Sequence, residues 1–194
     1  NEFMNDTGNE SIIRLYASKS EGIVGCSLYT GVQSTDAEGK FFQPLFIPSK
    51  VIVNAYNNSD LRKQVWFPVD KYPVKSQGTL YNGIAMFTKY IGNPTLQSGE
   101  NEDCAHFCKP LMLSEMYLIA AEAYAQAGDD SAAESILGEL KTARKAGASE
   151  GSVMDEVKLE WLRETVGEGQ RINCIKRWGD GLPARPAQDA AKDI

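Results

Sequence analysis

Apolar positions in this chain follow two different rules on either side of Lys109-Pro110. Before it they come in short runs, SIIRLYAS, FFQPLFIPSKVIVNAY, KQVWFPV and NGIAMFTKYI, separated by glycine, proline, asparagine and serine. Runs bounded by turn formers read as strands or extended segments. One stretch is an exception. Ser49 after Pro48 can cap a short helix reaching Tyr56, because a serine hydroxyl accepts a free first-turn amide, and Asn57-Asn58-Ser59-Asp60 reads as its stop.

After Pro110 the spacing becomes three and four. Pro110 suits a first helical turn, and Ser114, Tyr117, Leu118, Ala121, Tyr124 and Ala125 line one face before Gly128 ends the run. Asp129 and Asp130 offer a cap and favourable negative charge to a second helix, whose stripe is Ala133, Ile136, Leu137, Leu140 and Ala143, closing near Gly147. So short a connection predicts antiparallel packing, with Ala120, Ala121, Ala123, Ala132 and Ala133 letting the backbones approach. A third helix starts at Ser152 or Asp155 and carries Met154, Val157, Trp161 and Thr165. The fold class is therefore mainly α: a tetratricopeptide-like α-α hairpin beside a loop-rich region with short strands. Residues 1–109 form the loop-rich part, and residues 110–194 the hairpin, third helix and tail, within one domain. A tetratricopeptide unit of about 34 residues buries its apolar face only by stacking on neighbours. The single unit visible here is expected to pack against something not encoded nearby.

Composition narrows the function. The 194 residues are 42% hydrophobic and 24% charged, ordinary for a globular protein, and the formal charge of −6 leaves no cationic surface for nucleic acid. No apolar run approaches the roughly 20 residues that cross a bilayer. Asn1-Glu2-Phe3-Met4 lacks the features of a signal peptide, so any targeting segment is expected outside this chain. Cys104, His106 and Cys108 could offer zinc two thiolates and an imidazole, but Cys26 and Cys174 stand singly and far away, where structural zinc sites use a second pair. Incidental thiols or one disulfide fit better, and no cofactor is expected.

On the third helix Glu160, Glu164 and Glu168 recur every four residues, with Arg163 among them and Arg171 three residues past Glu168. Carboxylates stacked this way repel unless arginines neutralise them. The spacing predicts an ion-pair network at a helix end, with Gly167 and Gly169 releasing the chain so that Arg171 folds back. The alternative is a catalytic pair, Glu164 and Glu168, as in glycoside hydrolysis. Acid and base more often face each other across a cleft, which favours the network. Gly167-Glu168-Gly169-Gln170-Arg171 also lacks the glycine spacing and Lys-Ser/Thr of a phosphate loop.

The order of these segments resembles a known family. CKPLMLSEMYLIAAEAYAQAGDDSAAESILGELKTAR followed by LEWLRETVGEGQRINCIKRWGDG resembles the carboxy-terminal region of the SusD/RagB family of surface glycan-binding lipoproteins. NESIIRLYAS, FIPSKVIVNAYNNSDLR with its Asp-x-Arg, and FTKYIG fit the family's preceding segments. Two places depart from the pattern: Met112 where an arginine is usual, and the tripeptide Ile172-Asn173-Cys174 where the family carries Phe-Asp-Leu. The resemblance implies a non-catalytic protein on tetratricopeptide-like helices, lipid-tethered to the outer face of a Bacteroidetes-type outer membrane. It would capture an oligosaccharide and pass it to a TonB-dependent, SusC-like transporter. Complete members are more than twice this length, so the lipid anchor and the hairpin's neighbours would lie outside this chain.

Sugars present apolar C–H faces and hydroxyl rims, so their sites pair aromatic rings with hydrogen-bonding groups, often on loops. Trp66 and Tyr72 are the first candidates here, with Tyr81 and Tyr29 behind them; Trp161 and Trp178 read as core. Trp66 lies in an apolar run, so a buried tryptophan is the competing expectation. A protein–protein adaptor built on the hairpin and a carbohydrate-active hydrolase are the alternative functions.

Overall fold

A computed structural model describes residues 6–21, 32–37, 39–69, 73–99, 103–148 and 151–188. In chain order the elements are β1 (Ser11–Leu15), a 3-10 turn (Lys19–Glu21), β2 (Val32–Asp36), β3 (Gly39–Gln43), α1 (Lys50–Asn54), α2 (Leu61–Trp66), β4 (Val74–Ser76), β5 (Thr79–Tyr81), β6 (Cys108–Met112), α3 (Leu113–Gln126), α4 (Asp130–Arg144), α5 (Val153–Glu164) and α6 (Arg171–Trp178). No helix among the described residues is long and apolar enough to cross a membrane.

The helical half forms for the reasons the spacing gave. Asp129 accepts from the Ala132 amide and caps α4, and Gly128 at φ +80 supplies the turn before it. Ser152 and Asp155 form a reciprocal capping box at the start of α5. Leu118 and Ala121 of α3, Leu137 and Leu140 of α4, Val157 and Trp161 of α5, and Cys174 of α6 share one core. At about 25 cal/mol per Å² of apolar surface, it is this shared burial rather than helix propensity that holds the hairpin together.

Several details differ. Pro110 lies in β6, not in a helical turn, and α3 begins at Leu113, because Cys108–Met112 pairs antiparallel with β1. Proline is tolerated in such a strand because, among the described residues, this sheet has two strands and Pro110 lies on an edge. Ala121 and Ala133 are fully buried at the close approach, whereas Ala123, Tyr124 and Ala143 face solvent. Ala132 and Ala120 are half-buried. Arg171–Trp178 is a further helix, one the spacing did not predict, and it ends in Gly179 at φ +71.

In the loop-rich half, α1 follows Ser49 as expected, although the Ser49 hydroxyl makes no cap hydrogen bond. Asp60 is not part of a stop. Its carboxylate accepts from the Arg62 amide and starts α2, so the KQVW run is helical rather than extended. Two hairpins, β2–β3 and β4–β5, join through a parallel β3–β4 contact into one four-stranded sheet. Gln77 and Gly78, both at positive φ, make the two-residue turn between β4 and β5. Ile84–Lys89 is buried throughout yet belongs to no sheet. Its amides at Met86 and Thr88 donate to Pro68 and Trp66 carbonyls, which satisfies the buried backbone. This segment separates two further cores, one around Tyr56, Trp66, Phe67 and Phe87, the other around Phe42, Val74 and Met86.

Candidate functional site

The carboxylates on α5 point inward, to arginines from far along the chain. Arg62, 2% exposed, donates to Asp60 at 2.8 Å, Glu160 at 2.9 Å and Glu164 at 2.8 Å. Arg144 of α4 donates to Glu164 at 2.7 Å and to Glu10 at 2.5 Å, so the residue ahead of β1 is tied to the same cluster. Arg163 reaches Glu160 at 2.5 Å and the Ala55 carbonyl at 2.6 Å, and Lys141 pairs with Glu156 at 2.6 Å. Tyr56, under the Arg62 guanidinium, donates to the Arg163 carbonyl at 2.7 Å. Several ions in one buried place are tolerated only because nearly every lone pair and proton has a partner.

Glu168 stands apart from Glu160 and Glu164. It accepts from the buried Lys89 ammonium and from the Tyr90 hydroxyl at 3.1 Å, while Lys89 also donates to the Glu164 carbonyl at 2.7 Å. Burial lowers the Lys89 pKa, and the nearby Glu168 and Glu164 charges oppose that shift. Arg171, expected to fold back onto these glutamates, does not join them. Its side chain points to a separate cleft, because α6 starts at Arg171 itself and turns the chain away.

Electrostatics exclude a general-acid role for Glu164. Burial alone would raise its pKa, but Arg144, Arg62 and Lys89 outweigh burial and hold the carboxyl at about 2. A catalytic acid needs the opposite shift, toward neutrality. The shift also sets a pH dependence. A carboxylate held below its unfolded value of roughly 4.3 contributes stability that is complete above that value and lost as pH falls through the folded one. The urea midpoint is therefore expected to fall as pH drops from about 5 to about 2, and Glu164→Gln to remove part of that slope. Identical slopes in the two proteins would count against this assignment.

The glycines of the Gly167–Arg171 stretch hold different positions. Both have φ +78, but a Cβ on Gly167 would come within 2.7 Å of the Phe87 ring, while one on Gly169 would meet open space. Gly167→Ala is expected to cost roughly 2–4 kcal/mol, backbone strain and overpacking together, and Gly169→Ala only about 1 kcal/mol. Thermal melts of the two variants check the difference.

Beside this stretch opens a cleft of about 770 Å³. Phe46, Ile47, Leu162 and Val166 give it apolar walls, Phe67 and Phe87 its floor, and Arg171 and Arg185 stand at it with Ser49 and Gln188. Gln188 is committed: its amide donates to the Pro48 and Ala85 carbonyls and accepts from the Ala85 amide. A second cleft of about 570 Å³ runs between α4 and the start of α5, where Lys141 and Glu156 already neutralise each other.

The aromatic candidates fare unevenly. Trp66 is 6% exposed, with the Lys89 ammonium 4.3 Å from its ring centre, and is core rather than a sugar platform. The cause is α2, which turns Trp66 inward onto Tyr56 and Phe87. Tyr81 is half-buried on β5 and packs beside the Phe42–Val74 core. Tyr29 and Tyr72 lie outside the described residues. Sequence reasoning missed Phe46, which is 59% exposed at the cleft, and Arg185. Phe46 was hidden in a run read as one extended apolar segment. Cys108 and Cys174 are free thiols, and no metal-ligating cluster occurs among the described residues.

Comparison with known proteins gives the arrangement a context. A profile of the SusD family matches residues 33–193. No curated protein matches the chain. Among solved structures, a SusD homolog from Bacteroides thetaiotaomicron superposes with TM-score 0.67 at 18% identity, over 89% of this chain and 38% of that one. A SusD superfamily protein from the same organism gives TM-score 0.67 at 22% identity, over 93% and 40%. Surface glycan-binding protein A from Bacteroides uniformis gives 0.59 at 16%, over 95% and 41%. At these identities the likeness is one of fold, helix-rich with a few short strands, and this chain spans about two fifths of the length of those relatives.

Proposed function

Because this chain belongs to the SusD family, we propose that it forms part of a non-catalytic glycan-binding protein at the bacterial cell surface. The bound oligosaccharide would pass to a TonB-dependent, SusC-like transporter, and a lipid anchor outside this chain would hold the protein on the outer membrane. The family match across residues 33–193 carries this reading. The fold it shares with a surface glycan-binding protein from Bacteroides uniformis supports it. So does the fate of the α5 carboxylates, which are consumed by Arg62, Arg144 and Arg163 instead of facing a substrate.

The cleft at Phe46 supplies the combination a sugar needs, apolar surface for C–H faces beside donors for hydroxyls. Tyr81, Tyr29 and Tyr72 remain candidates for further stacking contacts. Isothermal titration of the folded chain against neutral and acidic oligosaccharides tests the reading, with incubated samples analysed for new reducing ends. Binding without cleavage is expected. Failure to bind any oligosaccharide, or release of shorter products, would overturn it. Co-purification of the full-length protein with an outer-membrane transporter tests the partner.

A further inference from the structure

The cleft carries a charge signature that the glycan-binding reading does not require. Its lining residues include two arginines and no carboxylate, in a protein of formal charge −6. The buried cations described above are matched, Arg62 and Arg144 by several carboxylates, Lys141 by Glu156 and Lys89 by Glu168, whereas at the cleft Arg185 is exposed. Arg171 is half-buried, and neither it nor Arg185 forms an ion pair or side-chain hydrogen bond among the described residues. Arg171 is moreover the first residue of the eight-residue helix α6, an end where the helix dipole disfavours a cation. An unmatched guanidinium beside apolar walls is stabilised by an anion that its planar donor fork can grip.

We propose that this cleft binds an anionic oligosaccharide, whose acidic group is held by Arg171 and Arg185 while a sugar face packs on Phe46. The Ser49 hydroxyl, which makes no cap hydrogen bond, is placed to serve a ring hydroxyl. This inference rests on the glycan-binding reading and names its ligand class. Carboxylate and sulfate share the chemistry that two guanidinium groups recognise.

Titration of the 194-residue chain with oligogalacturonate, with its methyl ester and with a sulfated galactan oligosaccharide tests it. At least one anionic sugar is expected to bind roughly tenfold more tightly than the ester, and to weaken as ionic strength rises. Arg171→Ala and Arg185→Glu, neither of which removes an ion pair among the described residues, are each expected to weaken that sugar roughly tenfold and to leave the melting temperature unchanged. The carboxylate and sulfate arms decide which acidic group is preferred. Binding of neither anionic sugar more tightly than the ester, or no effect of either arginine variant, would overturn the anionic assignment while leaving neutral-glycan binding intact. Tighter binding of a poly-aspartate peptide than of any sugar would also overturn it, and binding of no glycan at all would remove both readings together.

Discussion

Arg62→Ala is expected to destabilise the fold by about 3–5 kcal/mol, a large share of the roughly 5–15 kcal/mol that holds an ordinary domain folded. Its guanidinium serves Asp60, Glu160 and Glu164 at once, and two of those carboxylates are 0% exposed. Truncation leaves several buried negative charges facing one another with Arg144, Arg163 and the nearby Lys89 to answer them. Lysine is no remedy, since a single ammonium cannot reproduce a fork that engages α5 and the start of α2 together. Urea unfolding followed by far-UV circular dichroism measures the loss. A change below about 1 kcal/mol would mean that the network is incidental to stability.

Trp66→Ala is expected to cost about 3–5 kcal/mol as well, through a different mechanism. The indole fills the core formed with Tyr56, Phe67 and Phe87 and covers the buried Lys89 ammonium. Its removal leaves a cavity and deprives Lys89 of one of the contacts that offset burial. The expected phenotype is loss of the folded state, seen as a lowered melting temperature, and not selective loss of ligand. A variant that melts at the wild-type temperature yet no longer binds glycan would show that Trp66 is a ligand platform after all.

These two residues also show where the sequence was legible. Helices α3, α4 and α5 carried their signals locally: Asp129, the Ser152–Asp155 box and the Leu118, Leu137 and Val157 stripes all lie within a few residues of what they cap or pack against. The glutamate ladder was visible for the same reason. Its partners were not, because the guanidinium of Arg62 lies 98 and 102 residues from Glu160 and Glu164, and proximity in sequence favoured Arg171 instead. Asp60-Leu61-Arg62 was noticed as a motif, but its meaning is a long-range ion pair that no local pattern encodes. Helix α2 was missed because six residues, ending before Pro68 and containing β-branched Val65, resemble an extended run as much as one and a half helical turns. Pro110 was misassigned because its fit to a first helical turn is local, whereas the pairing of β6 with β1 is not.

The cleft was the least legible feature, since its walls come from the Phe46–Ile52 segment, the end of α5, the Gly167–Arg171 turn and the chain around Arg185. Of its lining residues Ser49, Thr165, Gly167, Gly169 and Arg171 stand out in the sequence, each for a structural role. What the folded chain adds is a division of labour. One set of arginines is buried with carboxylates and holds the two halves together, and the other set stands at a cleft with no ion-pair partner among the described residues.

The most direct measurement of glycan recognition without catalysis is a chemical-shift titration of the isotope-labelled chain with the oligosaccharide that binds best. Shifts are expected at Phe46, Ser49, Gly169, Arg171 and Arg185, with α3, α4 and the Glu160–Glu164 cluster silent and the sugar recovered intact. Shifts converging on Glu160 and Glu164 with a shortened sugar, or a spectrum unchanged by every glycan, would contradict it.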